Sequence, residues 1–213
     1  MFLASYLQKL ELYQPTLLTE ARKDTIFAAV GVYLAYFFGW RDDTASTLTF
    51  ADIAVSDDHR TVVFSEQFSK GHFGRLGYKF RRLELDLQVA PGLNIAIPAL
   101  LSWYGGSNLL LLGTLPGARK LDQALDIVLE LYPEGSTCLG LQSGDFKGSL
   151  TLHCLRVGMC TALLKLGLHE TAIKAWGGWS VKSDIWDKYS RHPVFYVEEL
   201  DFIKILFSQA LPA

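Results

Sequence analysis

The stretch His153-Cys154-Leu155-Arg156 lies in an apolar run that predicts a helix from about Leu152 to Leu166. A histidine and an arginine three residues apart lie on one face of a helix, where their side chains are neighbours. Together they offer paired hydrogen-bond donors for a phosphate oxygen. Because both groups are costly to bury without partners, the stretch favours a functional site over ordinary core packing.

The segments around this stretch predict an α+β protein that is mainly helical, with one small antiparallel sheet. From Thr16 to Trp40 the apolar residues recur at helical spacing, with Thr19 as the N-cap. Residues 60–68 and 78–87 are rich in β-forming residues and flank a basic, glycine-rich segment, which predicts a hairpin with a long basic tip. Further predicted elements are a helix or strand–helix piece over 91–104, a buried strand over 109–113, and helices over 121–131 and 169–176.

Basic residues concentrate in two parts of a chain whose net charge is only −2. Residues 60–82 carry a local charge of +5 and residues 147–191 one of +4. This segregation is typical of a charged binding face on a neutral body, although chance clustering of solvated surface residues would look the same. The acidity of the remaining segments predicts weak sequence-independent binding to nucleic acid, because phosphate neutralisation supplies most of that affinity.

Composition excludes several classes of protein. Half of the 213 residues are hydrophobic, which is typical of a packed globular protein and not of a disordered chain. The three cysteines form no CxxC pair, so we expect buried thiols in a reducing, nuclear or cytoplasmic compartment. The longest apolar run, Ile26 to Trp40, is short for a bilayer span, and we expect no membrane association.

A tyrosine at position 189 completes the chemical pattern. Its phenol is a nucleophile that needs no metal if fixed cations stabilise the charge on an attacked phosphorus. The sequence offers no cluster of metal ligands, so we expect no metal and no cofactor. Phosphodiester cleavage by tyrosine is the leading chemistry for this set of residues.

Six elements in order resemble the tyrosine recombinases of the phage-integrase type, whose catalytic domain is shared with type IB topoisomerases. Phe38-Gly39-Trp40-Arg41 is similar to the family's first arginine box, and His153-Cys154-Leu155-Arg156 to its His-x-Leu-Arg box. Trp179 follows Arg156 by twenty-three residues, within a Gly-Gly-Trp that replaces the commoner Leu-Gly-His, and Tyr189 follows ten residues later. The resemblance covers roughly residues 15–192.

The resemblance implies a role for each matching residue. Arg41 and Arg156 would clamp the non-bridging oxygens of the scissile phosphate, and His153 would assist proton transfer from the nucleophile. Trp179 would donate its indole N–H to a phosphate oxygen. The candidate catalytic residues are Arg41, Lys70, His153, Arg156, Trp179 and Tyr189, with Lys70 on the hairpin tip protonating the leaving 5′-oxygen.

The resemblance also implies partners and a domain organisation. Residues 1–192 would form the catalytic domain, with the family's N-terminal DNA-clamping domain absent, and residues 193–213 an apolar helical tail. We expect double-stranded DNA as the partner, and a homo-oligomer on DNA in which the tail docks on a neighbouring copy. The basic residues expected to contact DNA are Arg75, Lys79, Arg81, Arg82, Lys182 and Lys188.

Three functions fit these expectations. The first is site-specific DNA recombination through a 3′-phosphotyrosyl intermediate, by the integrase or recombinase of a mobile element. The second is nicking and relaxation of DNA in the manner of a type IB topoisomerase. The third is a catalytically idle DNA-binding remnant of such an enzyme.

Overall fold

The computed structural model describes residues 2–8, 19–66, 81–113, 115, 120–130, 152–179 and 204. This part of the chain is mainly helical and carries a three-stranded antiparallel sheet, which confirms the predicted α+β class. The described helices are α1 (Phe2–Gln8), α2 (Glu20–Phe38), α3 (Asp42–Thr47), α4 (Leu93–Tyr104), α5 (Lys120–Glu130), α6 (Leu152–Lys165) and α7 (Glu170–Trp176). The strands are β1 (Ile53–Val55), β2 (Thr61–Glu66) and β3 (Arg81–Asp86).

Helix α2 is the centre of the hydrophobic core. It begins after Thr19, whose hydroxyl accepts a hydrogen bond from the backbone N–H of Arg22, as the sequence predicts. From Ile26 onward almost every side chain is buried, and α1, α4, α5 and α6 all pack against the helix. It ends at Gly39, which adopts the left-handed conformation with φ of 62° that glycine reaches without steric cost.

The sheet has the strand order β1-β2-β3, and β2 with β3 forms the predicted hairpin. Val62 pairs with Val55 on one side and with Leu85 on the other, and Phe64 pairs with Ile53 and Leu83. Val62, Phe64 and Leu85 are fully buried. Their neighbours in sequence point to the opposite, solvated face, as expected for an antiparallel sheet with one face on the core.

The link from α2 to the sheet is held by two carboxylates. Asp42 accepts a hydrogen bond of 2.9 Å from the backbone N–H of Leu121, which joins the start of α3 to the first turn of α5. Asp52 accepts the backbone N–H of Thr49 at 2.9 Å and its hydroxyl at 2.7 Å, in a capping box directly before β1. The segment from Asp42 to Asp52 is therefore held by a hydrogen bond to α5 at its start and by a capping box at its end.

Two features of the fold differ from the sequence-based expectations. The prediction of a buried strand over 109–113 is wrong, since Leu110 makes a single antiparallel bridge to Thr49 and residues 111–113 form a turn. Helix α1 was not predicted. It packs against Gly92, where a side chain would lie 2.6 Å from the carbonyl oxygen of Ala4.

Across the described ranges, none of the helices is long and apolar enough to cross a membrane.

Candidate functional site: a buried arginine between two helix ends

Arg156, in the middle of α6, is buried and has only 6% of its surface exposed. One terminal nitrogen, Nη1, donates to the carbonyl oxygen of Gly39, and the other, Nη2, donates to the carbonyl oxygen of Gly177 at 3.1 Å. The guanidinium also lies over the ring of Trp179, with 4.2 Å between Cζ and the ring centroid. A buried cation is tolerated only when dipoles or counter-charges replace its water, and two carbonyls with one aromatic face contribute to that here.

Both carbonyls belong to glycines that follow helices. Gly39 ends α2, and a side chain there would lie 2.4 Å from Cε of Met159, so α6 approaches the backbone closely at this point. Gly177 ends α7. The last carbonyls of a helix have no partner within the helix, so the ends of α2 and α7 present acceptors that Arg156 reaches from α6.

Gly177 also makes room for Trp179. A Cβ at position 177 would lie 1.8 Å from Cζ3 of the indole, a distance that no pair of carbon atoms tolerates. The backbone N–H of Trp179 donates to the carbonyl of Lys174 at 2.8 Å, which turns the chain back over the end of α7. The indole therefore lies across Gly177 and against Arg156, and only glycine at 177 is compatible with that position.

A cluster of aromatic rings holds α7 against the end of α2. The indole N–H of Trp176 donates to the carbonyl oxygen of Phe37 at 2.8 Å. Its ring meets Phe37 edge-on at 5.3 Å and lies nearly parallel to Phe38 at 6.2 Å. Phe38 in turn contacts Trp40 and Phe64, each at 5.5 Å, so the cluster continues to β2.

Arg41 lies two residues beyond Gly39, directly after the buried Trp40. It is the N-cap residue of α3, with φ of −95° and ψ of 163° and no side-chain capping bond. Because successive Cα atoms are about 3.8 Å apart, the Cα atoms of Arg41 and Gly39 are separated by at most about 7.6 Å. Arg41 is half-buried, and its guanidinium makes no hydrogen bond or ion pair with the described part of the chain.

His153 lies one turn before Arg156 on α6, and its side chain is exposed. The two residues thus occupy the same side of the helix but different depths, with the arginine in the core and the histidine at the surface. Such an arrangement presents an imidazole to solvent beside a fixed cation. It suits a group that exchanges protons with a bound molecule.

Cys160, one turn after Arg156, is fully buried. Burial raises the pKa of its thiol to about 12, and the nearby positive charge of Arg156 lowers this pKa only in part. The thiol is therefore neutral at physiological pH and packs as a small apolar group. Cys154, beside His153, is half-buried.

Two basic residues at the sheet, Arg60 just before β2 and Arg82 on β3, are each paired with a carboxylate. Arg60 lies 3.2 Å from Asp86, and Arg82 lies 3.0 Å from Glu84. These arginines are more than half exposed. Any phosphate that binds Arg82 must compete with Glu84.

Of the predicted catalytic residues, Arg156 contacts the ring of Trp179 and bonds the carbonyl of Gly39, two residues before Arg41. His153 lies one turn before Arg156 on α6. Arg82 is exposed on β3, and Arg81 begins the same strand. The other predicted catalytic and DNA-contacting residues lie outside the described residues, namely Lys70, Arg75, Lys79, Lys182, Lys188 and Tyr189.

Sequence reasoning did not identify Gly39, Trp176 and Gly177 as parts of the site. Gly177 directly follows the predicted helix over 169–176, and helix ends carry unpartnered carbonyls. Gly39, in contrast, lies inside the predicted helical segment, which runs to Trp40. Which donors would reach those carbonyls depends on contacts across 117 and 21 residues of chain. Nothing in the local pattern distinguished Trp176 from an ordinary core tryptophan.

Among the described residues, no group of three or more His, Cys, Asp or Glu side chains is placed to hold a metal ion. No protein-family model matches the chain, and none of the curated proteins matches it significantly.

Proposed function

We propose that this protein is the catalytic domain of a tyrosine recombinase, which cuts and rejoins DNA through a covalent bond to Tyr189. The proposal includes the catalytic-domain fold of that family and action as an oligomer on paired DNA sites. It also includes docking of residues 193–213 on a neighbouring copy.

The observation that carries the proposal is the position of Arg156. Its two carbonyl bonds join the end of α2 to the end of α7. Arg41 follows the first of these ends by two residues, and Trp179 follows the second by two residues. One buried side chain thereby gathers three segments, far apart in sequence, that carry four of the six residues expected to bind and cleave a phosphodiester.

The charges of the site suit a phosphate. Half-buried Arg41 supplies a planar guanidinium of the kind that binds phosphate through two parallel hydrogen bonds. Arg156 carries five N–H donors, of which two bond the carbonyls of Gly39 and Gly177. In the proposed complex, the guanidinium also donates a hydrogen bond to a non-bridging phosphate oxygen, and such a bond between charged groups is stronger away from bulk water.

The proposed reaction exchanges one phosphate ester for another. The phenol oxygen of Tyr189 attacks phosphorus, and the bond from phosphorus to the 5′-oxygen breaks. The phenolic proton passes to His153, and the leaving 5′-oxygen takes a proton from Lys70. The product is a 3′-phosphotyrosyl bond, and attack by a second 5′-hydroxyl reverses the step.

The test is the formation of a covalent protein–DNA adduct on a suicide substrate. The full chain is incubated with a pool of nicked duplexes that carry a randomised site, in EDTA, and resolved on a denaturing gel. We expect a band of protein bound to DNA from the wild type and none from Tyr189→Phe. Tyr196→Phe, a matched loss of one hydroxyl seven residues away, should form the adduct as the wild type does.

The outcomes separate the three functions. Exchange of strands between two duplexes that carry the recovered site supports a recombinase. Relaxation of supercoiled DNA without pairing of sites would replace it with a topoisomerase-like enzyme. If neither the wild type nor Tyr189→Phe forms an adduct, the recombinase and the topoisomerase functions are both contradicted. The catalytically idle DNA-binding remnant is then the remaining function.

A further inference from the structure

We infer that Trp176 is a positioning residue for the phosphate site, acting through its hydrogen bond to the carbonyl of Phe37. This inference rests on the proposed function. It concerns a side chain that contacts neither DNA nor the reacting atoms in the proposed mechanism.

The end of α2 is completed by side chains of other helices. The backbone N–H groups of Gly39 and Trp40 both bond the carbonyl of Ala35. Two later carbonyls, those of Phe37 and Gly39, receive side-chain donors instead, from Trp176 and Arg156. The end of α2 is thus completed by donors from α7 and α6.

The Trp176 indole is held in place by neighbouring aromatic rings. Its ring packs against Phe37 and Phe38, edge-on to the first and nearly parallel to the second. A ring held in this way keeps its N–H in one direction. Its 2.8 Å bond to Phe37 therefore fixes the end of α7 relative to the end of α2.

The residues that make this bond are close in sequence to two predicted site residues. Phe37 precedes Arg41 by four residues, and Trp176 precedes Trp179 by three. The bond between Phe37 and Trp176 therefore lies beside the two carbonyl bonds of Arg156 and joins the same two segments. If it breaks, the segments that carry Arg41 and Trp179 are held together by ring packing and by the two bonds of Arg156, with one directional contact fewer.

The test compares Trp176→Phe, which keeps an aromatic ring and removes the N–H, with Trp103→Phe. Trp103 is also half-buried but lies on α4, where its ring contacts Tyr104 at 6.4 Å. The probe is the nicked duplex recovered from the randomised pool. Adduct formation is measured in a single turnover at saturating DNA, and DNA affinity is measured separately by fluorescence anisotropy.

We expect Trp176→Phe to bind this duplex as the wild type does but to form the adduct about tenfold more slowly or worse, because small displacements of reacting groups have large effects on rate. Trp103→Phe should match the wild type in both measurements. Equal adduct rates for Trp176→Phe and Trp103→Phe would overturn the inference while leaving the proposed function intact. Absence of an adduct from the wild type would instead overturn the proposed function, and the inference with it.

A second measurement does not depend on catalysis or on the folding of a variant. The indole N–H of Trp176 should exchange with solvent slowly in the wild-type protein, as followed by NMR of ¹⁵N-labelled tryptophan. Exchange as fast as that of an exposed indole would show that the bond to Phe37 is absent and would overturn the inference.

Discussion

Two regions of this protein use arginine in opposite ways. Between α2, α6 and α7, Arg156 is buried and bonds two backbone carbonyls. At the sheet, Arg60 and Arg82 are exposed and pair with the carboxylates of Asp86 and Glu84. The residue type is the same, but the partners of the side chains and their exposure to solvent differ.

The partner and the burial of each arginine decide how strongly it is held. An exposed ion pair is screened by water and salt and contributes about 0–1 kcal/mol to stability. A buried guanidinium bonded to carbonyls completes the ends of two helices, and its removal leaves buried acceptors without donors. The first kind of arginine can leave its partner for a phosphate at little cost, whereas the second holds the backbone of the site in place.

The largest expected effect comes from removing the buried group. Arg156→Ala should destabilise the protein by about 3 kcal/mol, because the carbonyls of Gly39 and Gly177 lose charged donors. Denaturant unfolding followed by circular dichroism measures this. Arg156→Lys is the matched variant, and it should recover only part of the loss, since an ammonium lacks the planar fork that spans both carbonyls. A loss for Arg156→Ala as small as that of a surface variant would contradict the structural role.

A smaller effect is expected from a methyl group at the end of α7. Gly177→Ala should cost about 2 kcal/mol, because the new Cβ occupies the place of the Trp179 indole and drives it from Arg156. The measurement is again the free energy of unfolding.

The control for this prediction is a double-mutant cycle. In a Trp179→Ala background, Gly177→Ala should cost much less, because the clashing ring is gone. If the cost is the same in both backgrounds, the indole does not lie over Gly177.

The smallest effect on stability is expected on the sheet. Arg82→Ala should change the free energy of unfolding by less than about 0.5 kcal/mol. If Arg82 contacts a DNA phosphate, the same variant should lower the slope of log affinity against log salt by about 0.9. Glu84→Ala removes the competing carboxylate and should raise DNA affinity. An unchanged salt slope for Arg82→Ala would remove this residue from the DNA-binding surface.

Much of the architecture could be predicted because it depends on local patterns. Thr19 is a capping residue at the start of a long apolar run, and α2 begins after it. The alternation around Leu83 and Leu85 reports a strand with one buried face, and β3 is such a strand. Gly167, with φ of 84°, follows α6 directly after Leu166, where the sequence predicts that this helix ends.

The remainder depends on contacts that local patterns do not contain. Leu109–Gly113 is as apolar as a buried strand, yet its pairing with the 48–50 segment is limited to a single bridge between Leu110 and Thr49, after which residues 111–113 form a turn. The His-x-x-Arg spacing placed His153 and Arg156 on one face. It did not show that Arg156 enters the core and His153 stays at the surface, since that depends on how α6 packs against the ends of α2 and α7.

The central claim is that Tyr189 becomes covalently joined to DNA, and the direct measurement is mass spectrometry of the trapped complex. The adduct is digested with protease and nuclease, and the modified peptide is sequenced. We expect a nucleotide attached through a 3′-phosphate to Tyr189. A nucleotide on any other residue, or a 5′-phosphate linkage, would contradict it.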